Sequence, residues 1–180
     1  IDHESTWDRD CTSSNWGVHH GDPAPYNKLY GPVHSRGPNS GTILLQGKTL
    51  TSWGEPKRAD VTFSVAKTYL ALLAGVAFDR GLITDVNEPI GKKIKGIGFD
   101  SGNNALVTWA QMLQQTSEWE GTLFGLPDQV DRYRAVTFAK APDGVKGDAR
   151  PLQKAGTYWE YNDVRINQLS LALLHLFQDR

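Results

Sequence analysis

The sequence predicts a mixed α+β fold. Two short β-branched and apolar runs, Thr42–Gln46 and Thr49–Trp53, flank Gly47 and Lys48 as the arms of a hairpin flank a tight turn. Three later segments, over residues 62–80, 108–115 and 164–177, carry apolar residues at the spacing of one helical face. At 180 residues, 39% hydrophobic and 22% charged, the chain is long enough to bury the core of one domain.

Residues 1–39 are rich in Gly, Pro, Ser, Asn, His and Trp without period 2 or 3.6, which reads as a loop-rich arm anchored by Trp7, Trp16, Tyr26 and Tyr30. The hairpin follows. Thr62–Arg80 then reads as a buried helix, with Val65, Tyr69, Leu72, Leu73 and Val76 at helical spacing, opened by Asp60 and Thr62 and closed by Gly81. Asp85–Ile94 carries turn formers and Pro89, and Gly96–Asn104 is a polar, Gly-rich loop. Thr108 caps a short helix to Gln115 that bears Trp109, Met112 and Leu113. Gln129–Lys140 reads as a further helix, and Ala141–Gly156 as a surface loop. An aromatic cluster, Tyr158–Tyr161, precedes the last helix, Val164–Phe177, which meets no Gly, Asn or Pro before Arg180; the expectation is that more polypeptide follows.

Several function classes are disfavoured. Nineteen Lys and Arg against twenty Asp and Glu give a net charge of -1, which makes no electrostatic case for nucleic acid or an anionic membrane as partner. The apolar stretches Tyr69–Phe78 and Leu169–Phe177 are far shorter than the roughly 20 residues of a membrane span. Cys11 is alone, so it forms no intrachain disulfide and no cysteine cluster. His3, His19, His20, His34 and His175 lack the paired spacing of a metal-binding helix, and neither metal nor cofactor is expected. Gly47-Lys48-Thr49 ends like a phosphate loop, but five residues separate its glycines where four are needed. The chain begins at Ile1 without Met, which leaves its compartment open between periplasmic or secreted and cytoplasmic.

The remaining chemistry sits at Ser64-Val65-Ala66-Lys67. Positions i and i+3 share a helical face, so the Lys67 amine reaches the Ser64 hydroxyl, and the free N–H groups of a first turn favour an anionic transition state. A serine hydroxyl needs a base to become a nucleophile. With ten Ser and ten Lys in the chain, chance supplies about 0.6 such pairs, so the pattern alone also fits a helix-start serine beside a solvated lysine.

Order adds to the pattern. A hairpin, Phe63-Ser64-Val65-Ala66-Lys67-Thr68-Tyr69, and a helix ending at Gly81-Leu82-Ile83 resemble the opening of the serine β-lactamase and penicillin-binding-protein superfamily, nearest its class C β-lactamase, esterase and nylon-oligomer hydrolase branch. Residues 81–94 resemble the segment after that branch's nucleophile helix. Val107-Thr108-Trp109 through Thr116-Ser117 resembles its Thr-initiated helix and Thr-Ser turn, and Tyr161-Asn162-Asp163 stands where it carries Tyr-x-Asn. The resemblance covers about residues 40–177. It implies a mostly antiparallel sheet flanked by helices with an inserted helical region, in one domain of which this chain is the front part. The strand that bears Lys-Thr-Gly or its counterpart has no match here, so the C-terminal strands are expected from a further segment or a second chain.

The resemblance also implies roles: Ser64 as nucleophile, Lys67 as base, and Tyr161 as proton shuttle to the leaving group of a small ester or amide substrate, with no cofactor. β-lactamase or D-Ala-peptidase activity, and a non-catalytic peptide-binding module, are the alternatives. Asp163 stands where the family has Asn; a carboxylate only accepts hydrogen bonds, so it either holds the Lys67 amine and keeps it charged or caps the helix. Trp119 either walls the substrate site or anchors a loop in the core, and Thr122–Asp128 is expected to be a neighbouring substrate loop.

Overall fold

A computed structural model describes residue 25 and residues 38–59, 62–136, 140 and 142–178. Of the expected arm over residues 1–39, all but Pro25, Pro38 and Asn39 lie outside the described residues, as does Asp60. The architecture is α+β, with helices and two small antiparallel sheets. The described residues fall into two compact units, one ending at Phe63 and the other running on from Ser64.

The first unit holds the predicted hairpin. Strand β1 (Gly41–Leu45) pairs antiparallel with β2 (Lys48–Trp53). Gln46 and Gly47 both take positive φ, 50° and 78°, which is the primed turn whose twist suits a two-residue hairpin loop. The register slips between Ile43 and Leu44, leaving Leu50 as a bulge. Gly41 faces Trp53 so closely that a Cβ there would stand 2.5 Å from the indole. Ile43, Leu44, Leu45 and Leu50 are all exposed. A two-stranded ribbon that exposes its apolar side chains is marginally stable by itself.

The second unit is built on three helices. Helix α1 (Ala66–Asp79) ends in a Schellman motif: Gly81, at φ 69°, donates to the Phe78 carbonyl, and Leu82 donates to Ala77 at 2.8 Å. Its start differs from expectation, because Val65 precedes it with no side-chain cap and Ser64 sits in a 3-10 turn, Phe63–Val65. The expected buried face is also corrected. Tyr69, Leu72, Leu73 and Val76 are exposed, while Ala74 and Ala77 are buried beside the half-buried Leu70. Small side chains let α1 approach the core closely, and the bulky residues on its other side point outward.

Helix α2 (Trp109–Leu113) starts with a full capping box, in which Thr108 Oγ1 accepts from the Gln111 N–H and Gln111 Oε1 accepts from the Thr108 N–H. Helix α3 (Asp163–Gln178) buries Val164, Leu169, Ala172, Leu173 and Leu176 against Trp109 and Met112 of α2 and against Ile83, Ile90, Phe99, Val107 and Trp119 from the connecting loops. The segment expected as a helix over Gln129–Lys140 makes one 3-10 turn, Asp128–Asp131. Tyr133, at φ 59°, breaks it, and residues 132–136 run irregularly. Within the segment 122–128, residues 122–127 form a tight hairpin, β3 (Thr122–Leu123) with β4 (Leu126–Pro127), around Phe124 and Gly125. None of the described helices is long and apolar enough to cross a membrane.

Candidate active site

Four of the five residues singled out from the sequence come together. Ser64 Oγ and the Tyr161 hydroxyl are in hydrogen-bond contact, although 97 positions separate them in the chain. Lys67, one turn along from Ser64, donates from Nζ to Ser64 Oγ at 3.1 Å and to Asp163 Oδ1 at 2.6 Å. The amine also lies 4.7 Å from the centre of the Tyr161 ring. The fifth, Trp119, is 2% exposed, packs on Phe99 and donates from its indole to the Gly98 carbonyl at 2.9 Å. It is packed as a core anchor. Its ring area is better buried than exposed, and Gly98 satisfies its one polar atom.

The start of α3 decides between the two roles open to Asp163. Asn162 Oδ1 accepts from the Arg165 N–H at 3.1 Å and so caps the helix. Asp163, one residue on, is left to face the site, where Lys67 takes Oδ1 and Arg134 takes Oδ2 at 2.6 Å.

Burial alone would lower the Lys67 pKa, but its bonds to Asp163 and Tyr161 outweigh this and raise it above the usual lysine value. Burial likewise pushes the Asp163 carboxyl up, and Arg134 with Lys67 more than reverses it, so Asp163 stays ionised. An ammonium has only donors, so Lys67 donates to Ser64, whose hydroxyl and that of Tyr161 share one further hydrogen bond.

Sequence reasoning missed what frames these groups. Arg134 Nη1 bonds both oxygens of Asp131, at 3.1 and 3.2 Å, and its guanidinium lies 5.2 Å from the Tyr161 ring centre. Asp131 also accepts the Asp163 N–H at 2.7 Å and pairs with Lys146 at 3.3 Å. Burial raises the Asp131 pKa despite these cations.

Tyr161 itself is held from both sides by Gln115. The Gln115 carbonyl accepts from the Glu160 N–H at 3.1 Å, and its Oε1 accepts from the Asn162 N–H at 2.9 Å. Four non-glycine residues at positive φ border these groups: Phe63, Gln115, Glu118 and Tyr133. Such conformations persist where surrounding contacts over-determine them, and two of the four, Phe63 and Tyr133, sit one residue before Ser64 and one before Arg134.

Beneath lies a buried ionic network. Glu118 accepts from Arg150 through both oxygens at 2.7 Å and from Arg165 at 2.8 Å. Arg150 also pairs with Glu160, and Arg165 and Arg132 share Asp128. The expected surface loop over residues 141–156 therefore sends Arg150 inward, its side chain only 5% exposed. Burial would raise the Glu118 pKa, but Arg150, the Gln153 N–H and Arg165 hold it down at about 2. Among the described residues, no group of three His, Cys, Asp or Glu is placed to hold a metal ion.

No family model matches the chain, and neither does any curated protein or solved structure.

Proposed function

We propose that the chain carries the nucleophile half of a serine hydrolase that cleaves an ester or amide through an acyl-enzyme on Ser64. The observation that carries this reading is the contact of one serine oxygen with both a lysine amine and a tyrosine hydroxyl, from residues far apart in the sequence. In the reaction, Lys67 first sheds its proton, which reverses its bond to Ser64. Ser64 Oγ then attacks the carbonyl carbon while its proton passes to Lys67. Tyr161 protonates the leaving oxygen or nitrogen as that bond breaks and recovers a proton from Lys67. Water releases the acid. Even at an ordinary lysine pKa near 10.4, only about 0.04% of the amine is free at pH 7. Turnover at neutral pH is therefore slow and rises with pH.

The exposed apolar residues of the hairpin, and separately those of α1, support the expectation that strands from a further segment or a second chain complete the domain, and the family resemblance implies that such a strand supplies an oxyanion donor. Without that donor, the charged state of Lys67 favours a second reading, a peptide-binding module on the same fold. A fluorophosphonate probe separates the two. Labelling at Ser64 that is lost in Ser64→Ala and at least 100-fold slower in Lys67→Ala is the expected result. An unlabelled Ser64 in the intact wild-type protein, or undiminished labelling in Lys67→Ala, overturns the hydrolase. A lasting penicillin adduct on Ser64 would place its substrates among β-lactams.

A further inference from the structure

Asp163 is divided between two cations. Lys67 and Arg134 each hold one of its oxygens at 2.6 Å. Arg134 is not a loose surface side chain that happens to fall there. Its Nη1 is fixed by both oxygens of Asp131, whose side chain is only 4% exposed, and the same Asp131 accepts the backbone N–H of Asp163. The preceding residue, Tyr133, holds a left-handed backbone, pinned by its N–H to Glu160 Oε1 at 2.9 Å. Strain, a buried carboxylate and a buried glutamate thus converge on placing one guanidinium.

We propose that Arg134 is a positioning residue for Lys67 acting through Asp163: by holding one carboxylate oxygen it aims the other at the amine and limits how tightly that carboxylate keeps the amine charged. The inference deepens the hydrolase reading, in which Lys67 must release a proton to serve Ser64. The groups that face Lys67 are Ser64 from its own turn, Tyr161 and Asp163 from the start of α3, and Arg134 behind Asp163. Asp131, with Lys146 on it, stands behind Arg134. Without Arg134, the full charge of Asp163 falls on the ammonium, and the free amine becomes scarcer.

The rate at which an amine is arylated follows its free-base fraction, so the test does not depend on turnover. Wild type, Arg134→Gln, Arg134→Lys, Asp163→Asn and the Arg134→Gln/Asp163→Asn double variant are treated with fluorodinitrobenzene at pH 9. Modification of Lys67 is read by peptide mass spectrometry against Lys48, an exposed lysine of the hairpin. Arg134→Gln should slow Lys67 labelling about tenfold, and Arg134→Lys should restore it to within about twofold of wild type. In the Asp163→Asn background the same Arg134→Gln change should matter less than about threefold, because the carboxylate it acts through is gone. Wild-type labelling in Arg134→Gln, or tenfold slowing that persists without Asp163, overturns the proposal. Arg134→Met takes the place of Arg134→Gln if that variant loses its helical circular dichroism. Failure of Ser64 to react with a fluorophosphonate would remove the hydrolase reading and leave this coupling intact.

Discussion

Replacing Asp163 by Asn removes the charge that keeps Lys67 protonated while leaving a side chain of the same shape and one acceptor oxygen. The magnitude follows from the ion pair. At 2.6 Å and an effective dielectric constant of about 20, the attraction is about 6 kcal/mol. The side chains are 22% and 36% exposed, and solvent screening at that exposure reduces it to about 2 kcal/mol. Losing that attraction lowers the Lys67 pKa, an effect reinforced by Arg134, which then repels the amine without an intervening carboxylate. Because Lys67 is raised in the wild type, its free base is scarce throughout the neutral range and grows tenfold per pH unit. The substitution shifts that rising limb to lower pH. The assay is the second-order rate of fluorophosphonate acylation of Ser64 between pH 6 and 10. Asp163→Asn should acylate about 10- to 50-fold faster at pH 7, with the gain shrinking as pH approaches the shifted pKa. A limb that stays in place or moves to higher pH would refute the assignment of Asp163 as the group that holds Lys67 charged.

Three further predictions concern the frame. Gln115→Ala loses the acceptor for the Asn162 N–H and should slow acylation about tenfold while costing about 1 kcal/mol in urea unfolding; an unchanged acylation rate would separate Gln115 from the placement of Tyr161. Glu118, at about 2 in the folded chain against 4.5 unfolded, contributes stability that is fully present above pH 4.5 and lost as pH falls to 2, an amount of about 3 kcal/mol. Wild type should show this loss in unfolding midpoints between pH 5 and 2.5. Glu118→Gln should be about 3 to 5 kcal/mol less stable at pH 7, because it leaves Arg150 and Arg165 buried and underpaired, and its acid dependence should be shallower. On α1, Leu72→Ser should change the stability of this chain by less than about 0.5 kcal/mol, whereas Ala77→Leu should cost about 1 to 3 kcal/mol by overpacking, as thermal melts will register.

What was legible in the sequence is local. The hairpin turn, the capping box at Thr108 and the Gly81 stop each depend on a few adjacent residues whose backbone chemistry is nearly independent of the rest of the chain. Ser64 and Lys67 follow the same rule, since one helical turn joins them. The buried face of α1 was misread because hydrophobic spacing ranks bulky residues first, whereas close approach favoured Ala74 and Ala77. Gln129–Lys140 failed as a helix for a different reason. Asp128, Asp131 and Arg134 each have an ion-pair partner far along the chain, at Arg165, Lys146 and Asp163, Arg132 donates to the Arg150 carbonyl, and serving them all is incompatible with one regular helix. No local pattern of charges announces such partners. The dense run of Asp and Arg over residues 128–134 was the one visible signal, and it fits a solvated face equally well.

The ionic network and the site share a single logic of placement. Tyr161 lies between Glu160, which is bound into the buried network by Arg150, and Asn162, which caps α3 and donates to the Asp128 carbonyl at 2.9 Å. Asp128 in turn is gripped by Arg132 and Arg165, and Arg165 reaches the Trp119 carbonyl beside the core. Three loops that carry little regular structure are thereby fixed to one another by directional bonds. Apolar packing of the same volume would often be as stable or more so, but a hydrophobic contact sets no orientation, whereas a bidentate guanidinium does. The short contact from Tyr161 to Ser64 requires orientation. The balanced charges beneath the site, Glu118, Glu160 and Asp128 against Arg132, Arg150 and Arg165, are therefore best understood as what aims the phenol. Replacing them by well-packed hydrophobic residues should then preserve folding while slowing acylation of Ser64.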